Sequence, residues 1–213
     1  MASDRRIRKR LAMRESISNA ATFLFMQHGF DNVTVDQIAE AADVGRKTVF
    51  NYFPRKEDMF FDRDEEIREM LREVVQKRSP LVSPLEAYRL FAHQLIAENS
   101  PYVMYTNQSW IDTIQRSETL KARVRAIRDE IAEFIAATLS EDAGHAVSEP
   151  AAIDPAAQLA ADLLLATWTV AILQSHRIFR LTQDTEQATA AFLALVDRGS
   201  VGLKAAMAGT PYA

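Results

Sequence analysis

Apolar residues recur every three to four positions along most of the chain, and the two-residue alternation of a strand is almost absent. Glycine and proline are few, 6 and 7 of 213 residues, and sit between the periodic stretches. This pattern predicts an all-α protein of about nine helices. The first runs from about Arg8 to His28, with Ile17, Ala20, Ala21 and Leu24 on one face and Gly29 as a left-handed stop. Thr34, with Gln37 three residues on, has the spacing of a capping box, opening a short second helix whose Ile38, Ala39 and Ala42 face inward. Asp43, Val44 and Gly45 form a turn, and a third helix, "RKTVFNYF", ends at Pro54. Longer helices follow over about Lys56 to Lys77, Leu85 to Glu98, Tyr102 to Gln115, Glu118 to Leu139, Ala156 to Arg180 and Thr185 to Ala208. The segment "SEDAGHAVSEPAAIDP" reads as a linker.

The third helix carries the chemistry. At ~100° per residue, Val49, Phe50 and Phe53 cluster on one side, while Lys47, Thr48, Asn51 and Tyr52 occupy the other. So short a helix cannot stand alone, so its aromatic side must dock on the helices before it and turn the polar side outward. On a duplex, Lys47 can donate to guanine O6 and N7, and Asn51 can pair bidentately with adenine. Thr48 suits a base edge or a thymine methyl group, and Tyr52 a phosphate. Arg46 falls beside the apolar side, yet its length lets it swing to a base or a backbone oxygen. Gly45 opens the same helix. Thr34 and Lys56, at helix starts on either side, would hold phosphates and so fix register rather than sequence.

Charge sharpens this picture. The net charge is −4, but residues 1 to 56 hold 10 Lys or Arg against 6 Asp or Glu, and residues 57 to 213 hold 15 against 23. Six of the first 14 residues are basic: Arg5, Arg6, Arg8, Lys9, Arg10 and Arg14. A basic end of this kind is expected to meet a polyanion. There is no cysteine, which excludes disulfides, thiol catalysis and cysteine metal sites. The apolar run "AADLLLATWTVAIL" reads as too short to span a bilayer, and the N-terminus lacks a signal-peptide pattern. A soluble, cytoplasmic protein with no membrane partner is expected.

Residues from about 14 to 60 resemble the N-terminal domain of TetR-family transcriptional regulators. The resemblance rests on an alanine-containing first helix and on Gly29, Phe30, Thr34, Ile38, Ala39, Ala42, Val44, Gly45, Phe53 and Lys56. Gly45 stands where the family more often has serine. Phe50 stands where tyrosine is usual, removing a phenol that contacts phosphate in some members. The resemblance implies a helix-turn-helix DNA-binding domain over residues 1–55, with a basic tail. It also implies a helical effector-binding and dimerisation domain over residues 56–213. The implied function is a ligand-responsive repressor that binds a palindromic operator as a homodimer.

The last two helices offer the best dimer surface. Leu159, Leu163, Ala166, Val170 and Leu173 are in register on one, and Ala188, Phe192, Val196 and Leu203 on the other, with small residues Ala191, Gly199 and Gly202 permitting close approach. For an effector, the aromatic stretch "PYVMYTNQSW" and its expected neighbours nominate Phe91, His93, Met104, Tyr105, Trp110, Phe134 and Trp168. No basic cluster lies among them, so a neutral or largely apolar small molecule is expected. Two other classes compete with this reading: a DNA-binding architectural protein without sequence preference, and a helical-bundle enzyme. The four histidines are scattered, no Glu-x-x-His pair occurs and no Gly-rich phosphate loop is present. No catalytic residue, metal or cofactor is therefore expected.

Overall fold

The computed structural model describes residues 2–100, 102, 108–145 and 153–213. Among the described residues the chain is all-α, with ten α-helices and one 3₁₀ turn. The stretch expected as one helix from Lys56 to Lys77 is two, which accounts for the extra element. The chain divides into two compact units, Met1–Glu65 with Ser109–Val124, and Glu66–Gln108 with Arg125–Ala213.

The N-terminal unit contains α1 (Ala2–His28), the 3₁₀ turn Phe30–Asn32, α2 (Val35–Ala41), α3 (Arg46–Tyr52), α4 (Glu57–Phe60) and the first residues of α5 (Asp64–Gln76). It also takes in most of α7 (Gln108–Arg116) and the start of α8 (Glu118–Asp142), so it is larger than residues 1–55. Its core joins Ile17 and Phe25 of α1 to Phe30, Ile38, Val49, Phe53 and Phe60, and to Ile114 and Leu120. Trp110 stacks on Phe60 with ring centroids 5.3 Å apart, and the Ser117 hydroxyl donates to Asp31 at 2.8 Å. Gly29 ends α1 with φ 80°, a conformation that side chains resist, while its N–H donates to the Phe25 carbonyl at 2.9 Å. The break between α4 and α5 is held from α1: Arg14 donates to the Asp62 carbonyl at 2.9 Å, and Ser18 donates to the Asp62 carboxylate.

The C-terminal unit is built from the remainder of α5 and α8, with α6 (Pro84–Ala97), α9 (Pro155–Thr182) and α10 (Thr185–Ala206). One core cluster gathers Leu71, Tyr88, Ile135, Leu139, Leu164 and Tyr212; a second gathers Leu95, Ala171, Phe192 and Val196. The two buried tyrosines find partners, as buried phenols must. Tyr88 donates to the Leu71 carbonyl at 3.1 Å, and Tyr212 to Asp154, the N-cap of α9, at 2.6 Å. Burial and this bond to a carboxylate push the Tyr212 phenol up to about 12. Arg89 and His93 of α6 both reach Asp197 of α10, at 2.9 and 2.8 Å, tying the two helices together.

The apolar run read above as too short to span a bilayer lies in α9, whose 28 residues are enough to do so by length and composition alone. The reason for its apolarity lies in its two faces. Ala157, Ala160, Ala161, Leu164 and Ala171 are buried in the unit's core. Leu159, Leu163, Val170 and Leu173 point the other way and are between 36% and 55% exposed.

Candidate nucleic-acid interface

α3 is seven residues long and is pinned to the N-terminal unit by Val49 and by its C-cap, Phe53, both fully buried. Lys47 and Asn51 are exposed, and neither side chain bonds to any other group among the described residues. Thr48 and Tyr52 are half-buried at the margins. The turn before α3 takes its left-handed residue at Asp43, φ 53°, while Gly45 is ordinary extended backbone at φ −74°.

Two side chains depart from the sequence reading. Phe50, expected in the apolar backing, is 41% exposed. The backing is complete with Val49 and Phe53, and the ~100° step from Val49 carries Phe50 onto the open side. Arg46 stands over its ring, with the guanidinium carbon 5.5 Å from the centroid. Arg46 Nη1 also donates to Asp36 Oδ2 at 2.6 Å, across the turn from α2. Asp36 was not among the candidates from sequence. It lies ten residues before Arg46, and only the folded turn brings the two together.

The flanking residues are engaged inside the unit. Thr34 and Gln37 form the expected capping box: the Gln37 N–H donates to Thr34 Oγ1 at 3.3 Å, and the Thr34 N–H donates to Gln37 Oε1 at 2.8 Å. The Thr34 hydroxyl also donates to Gln37 Oε1, at 3.0 Å. Lys56 points inward, donating to the Phe30 and Val33 carbonyls at 2.8 and 2.9 Å, with its ammonium 4.2 Å from the Phe30 ring centroid. Burial pulls this ammonium below the usual lysine range, and the Asp31 and Glu57 charges only partly restore it. The basic tail is not frayed: α1 begins at Ala2, so Arg5, Arg6, Arg8, Lys9 and Arg10 lie on exposed helical turns. At the base of this arm, Arg14 stacks over Phe53 at 4.7 Å, which puts the arm's root beside the end of α3.

The residues nominated for dimerisation separate by helix. On α9, Leu159, Leu163, Ala166, Val170 and Leu173 are all exposed, in a four-three-four-three spacing. On α10, Phe192, Val196 and Leu203 are at most 4% exposed, and Ala188 is likewise buried, so these four complete the core of their own unit rather than a free surface. Their 3.6-residue stripe is real, but it faces α6 and α9. Gly199 allows the close approach expected of it, within the chain: a Cβ there would overlap Thr167 Cγ2 and lie 2.6 Å from its Oγ1.

The effector candidates do not converge. Phe91 and Trp168 stack at 6.2 Å, and Trp168 meets Phe192 edge-on at 6.1 Å. Phe134 lies beneath the Arg68 and Arg72 guanidinium groups, and His93 is in the ion pair with Asp197. Trp110 belongs to the other unit's core. Met104 and Tyr105 lie outside the described residues. A cleft of about 630 Å³ in the N-terminal unit is lined instead by polar groups such as Asp31, Asp112, Thr113 and Arg116.

A three-helix head with an exposed polar third helix defines a helix-turn-helix unit, and the helical body completes a two-unit all-α protein. Residues 17–62 match the family model for bacterial regulatory proteins of the tetR family. The match is to the helix-turn-helix domain of that family and covers these residues alone. YhgD of Bacillus subtilis (strain 168), an uncharacterized HTH-type transcriptional regulator, is 32% identical over 80 residues, 38% of this chain and 40% of that protein. The HTH-type transcriptional regulator TcmR of Streptomyces glaucescens is 33% identical over 82 residues, 38% of this chain and 36% of that protein. The chain thus spans two fifths or less of the length of these curated relatives. Solved structures share the fold over nearly the whole chain. SmeT in complex with triclosan covers 90% of this chain and 91% of its own, at 17% identity and a TM-score of 0.55. NalD, the secondary repressor of the MexAB-OprM multidrug efflux pump in Pseudomonas aeruginosa, covers 88% and 95%, at 22% identity and a TM-score of 0.53.

Proposed function

We propose that this protein is a sequence-specific DNA-binding transcriptional regulator that acts as a homodimer on a palindromic operator. The observation that carries the reading is the outward face of α3. Lys47 and Asn51 are exposed and uncommitted, on a helix whose opposite side is locked into a core. Those side chains suit guanine and adenine edges in the major groove. Thr48 and Tyr52 complete the contact at its margins, Tyr52 toward phosphate. Thr34, Gly45 and Lys56 serve it by setting the positions of α2 and α3, since the donors of Thr34 and two of the three N–H groups of Lys56 are already used within the unit.

Seven residues give one copy few base contacts, and a two-fold pair doubles them on half-sites about 34–36 Å apart or a multiple of that. The exposed stripe of α9 supports such a pair. Beside it runs a groove of about 410 Å³ between Val170 and Gln174 of α9 and Ala191, Ala194, Leu195 and Arg198 of α10. This notch can receive the α9 stripe of a second copy.

The regulator is a repressor released by a neutral or largely apolar small molecule, bound in the C-terminal unit. The Trp168 indole N–H supports this: it is buried without a hydrogen-bond partner among the described residues, on a ring system packed near Phe91 and Phe192, and can donate to a ligand oxygen. That SmeT, of the same fold, forms a complex with triclosan agrees with such a ligand class. The test is a mobility shift on the DNA upstream of the protein's own gene against a scrambled duplex, at two salt concentrations. A base reader keeps a large affinity ratio at both, whereas equal, steeply salt-dependent binding to both duplexes would identify an architectural protein instead.

A further inference from the structure

Phe50 has no place in the core and no polar function, yet it stands in the middle of the α3 surface proposed to face DNA. Positions 46, 47, 50 and 51 form one exposed patch on successive turns. At its centre is an apolar ring, and the Arg46 guanidinium is stacked over that ring at 5.5 Å. The same guanidinium is held at one end by Asp36 Oδ2, 2.6 Å from Nη1. Arg46 and Asp36 are both more than half exposed, so their ion pair contributes little to stability. Its effect is orientation. One edge of the guanidinium meets the Asp36 carboxylate, its carbon lies over the Phe50 ring, and its other N–H groups make no hydrogen bond among the described residues.

The floor of the major groove presents one apolar group, the C5 methyl of thymine. It also presents one pair of coplanar acceptors on a single base that matches a guanidinium fork, guanine O6 and N7. A ring in contact with a guanidinium therefore fits a methyl next to that acceptor pair. Resting on the DNA-reading role argued above, we propose that Phe50 and Arg46 together recognise a thymine adjacent to a guanine in each operator half-site. Asp36 is the positioning residue that aims the guanidinium.

The full-length protein is used to select duplexes from a randomised library. A preferred duplex is then rebuilt with deoxyuridine at single thymines, removing only the methyl, and 7-deazaguanine at single guanines, removing only the N7 acceptor. At one thymine per half-site the loss of the methyl should weaken wild-type binding about fourfold, the worth of one buried methyl group. Phe50→Ala should bind both versions equally. At the neighbouring guanine, loss of N7 should cost the wild type about tenfold, within the range of a bidentate contact, and cost Arg46→Met nothing. Asp36→Asn should shrink that guanine penalty without changing the midpoint of thermal unfolding, a split that a structural role for Asp36 would not produce. A preferred duplex in which no thymine methyl matters, or in which Phe50→Ala pays the same penalty as wild type, overturns this inference alone. A library that yields no preferred duplex overturns base reading altogether, and this inference with it.

Discussion

Lys56 shows how far a single residue's surroundings can redirect its role. From sequence it is a cation at a helix start, well placed for a phosphate. In the folded unit it is a clasp that satisfies the carbonyls of Phe30 and Val33. Replacing it with methionine keeps the stem but leaves those acceptors without their charged donor. The expected loss is about 1.5–3 kcal/mol, read as a lower denaturation midpoint, because a hydrogen bond from a charged group is worth that much. The salt dependence of DNA binding by the folded variant should stay as in the wild type; a shallower slope would return Lys56 to the phosphate contacts. Tyr212 and Asp154 form a second clasp, and this one depends on pH. The Tyr212 hydroxyl bond, then the Ala156 N–H, hold the Asp154 carboxyl below the usual range. A carboxyl depressed on folding stabilises above its unfolded pKa, near 3.8, and that stability is lost as pH falls through the folded value. Tyr212→Phe should therefore make acid unfolding less steep below about pH 4, measured by circular dichroism.

Among the elements, α9 and α10 separate what periodicity can reveal from what it cannot. Both helices were legible in the sequence, as were α1, α2 and α3 with the capping box at Thr34, because caps, stops and 3.6-residue stripes are local signals. Lys47 and Asn51 were legible for the same reason. A stripe, however, says that a face is apolar and not what covers it. Phe192, Val196 and Leu203 have the periodicity of a partner surface but are core, while the matching stripe of α9 is open. The break between α4 and α5 and the pairing of Asp36 with Arg46 were illegible, since each depends on groups brought together from distant positions or across a turn. Two substitutions probe this helix pair. Gly199→Ala drives a methyl into Thr167 and should cost about 1–3 kcal/mol, the usual penalty of overpacking, seen as a lower thermal midpoint. Val170→Glu changes a residue that is 55% exposed in the single chain, so folding should be retained. For the proposed homodimer, its effect should appear in light scattering as a shift from dimer to monomer; a variant that stays dimeric would move the interface away from α9.

At the scale of the whole molecule, charge divides the work. The first 56 residues carry a net +4 and the rest a net −8, so a duplex attracts one part of the chain and repels the other. Repulsion of the acidic part disfavours docking in any pose that lays it on phosphate, and so favours approach through the basic head. The helical arm of α1 concentrates that attraction: Arg5, Arg6, Arg8, Lys9 and Arg10 extend over turns that bury nothing, from a root stacked on the end of α3. Cations placed there can reach phosphates beyond the bases that α3 is proposed to touch, adding affinity without adding sequence information. A variant lacking residues 2–10 should accordingly prefer the same duplexes as the full chain but bind them more weakly at low salt. For a dimer losing one phosphate contact per arm, the slope of log affinity against log salt should become shallower by about 2. Anisotropy titrations over a range of salt concentrations measure that slope. Equal slopes with and without the arm would mean that these five cations stay in solvent, and that the attraction comes from the three-helix head alone.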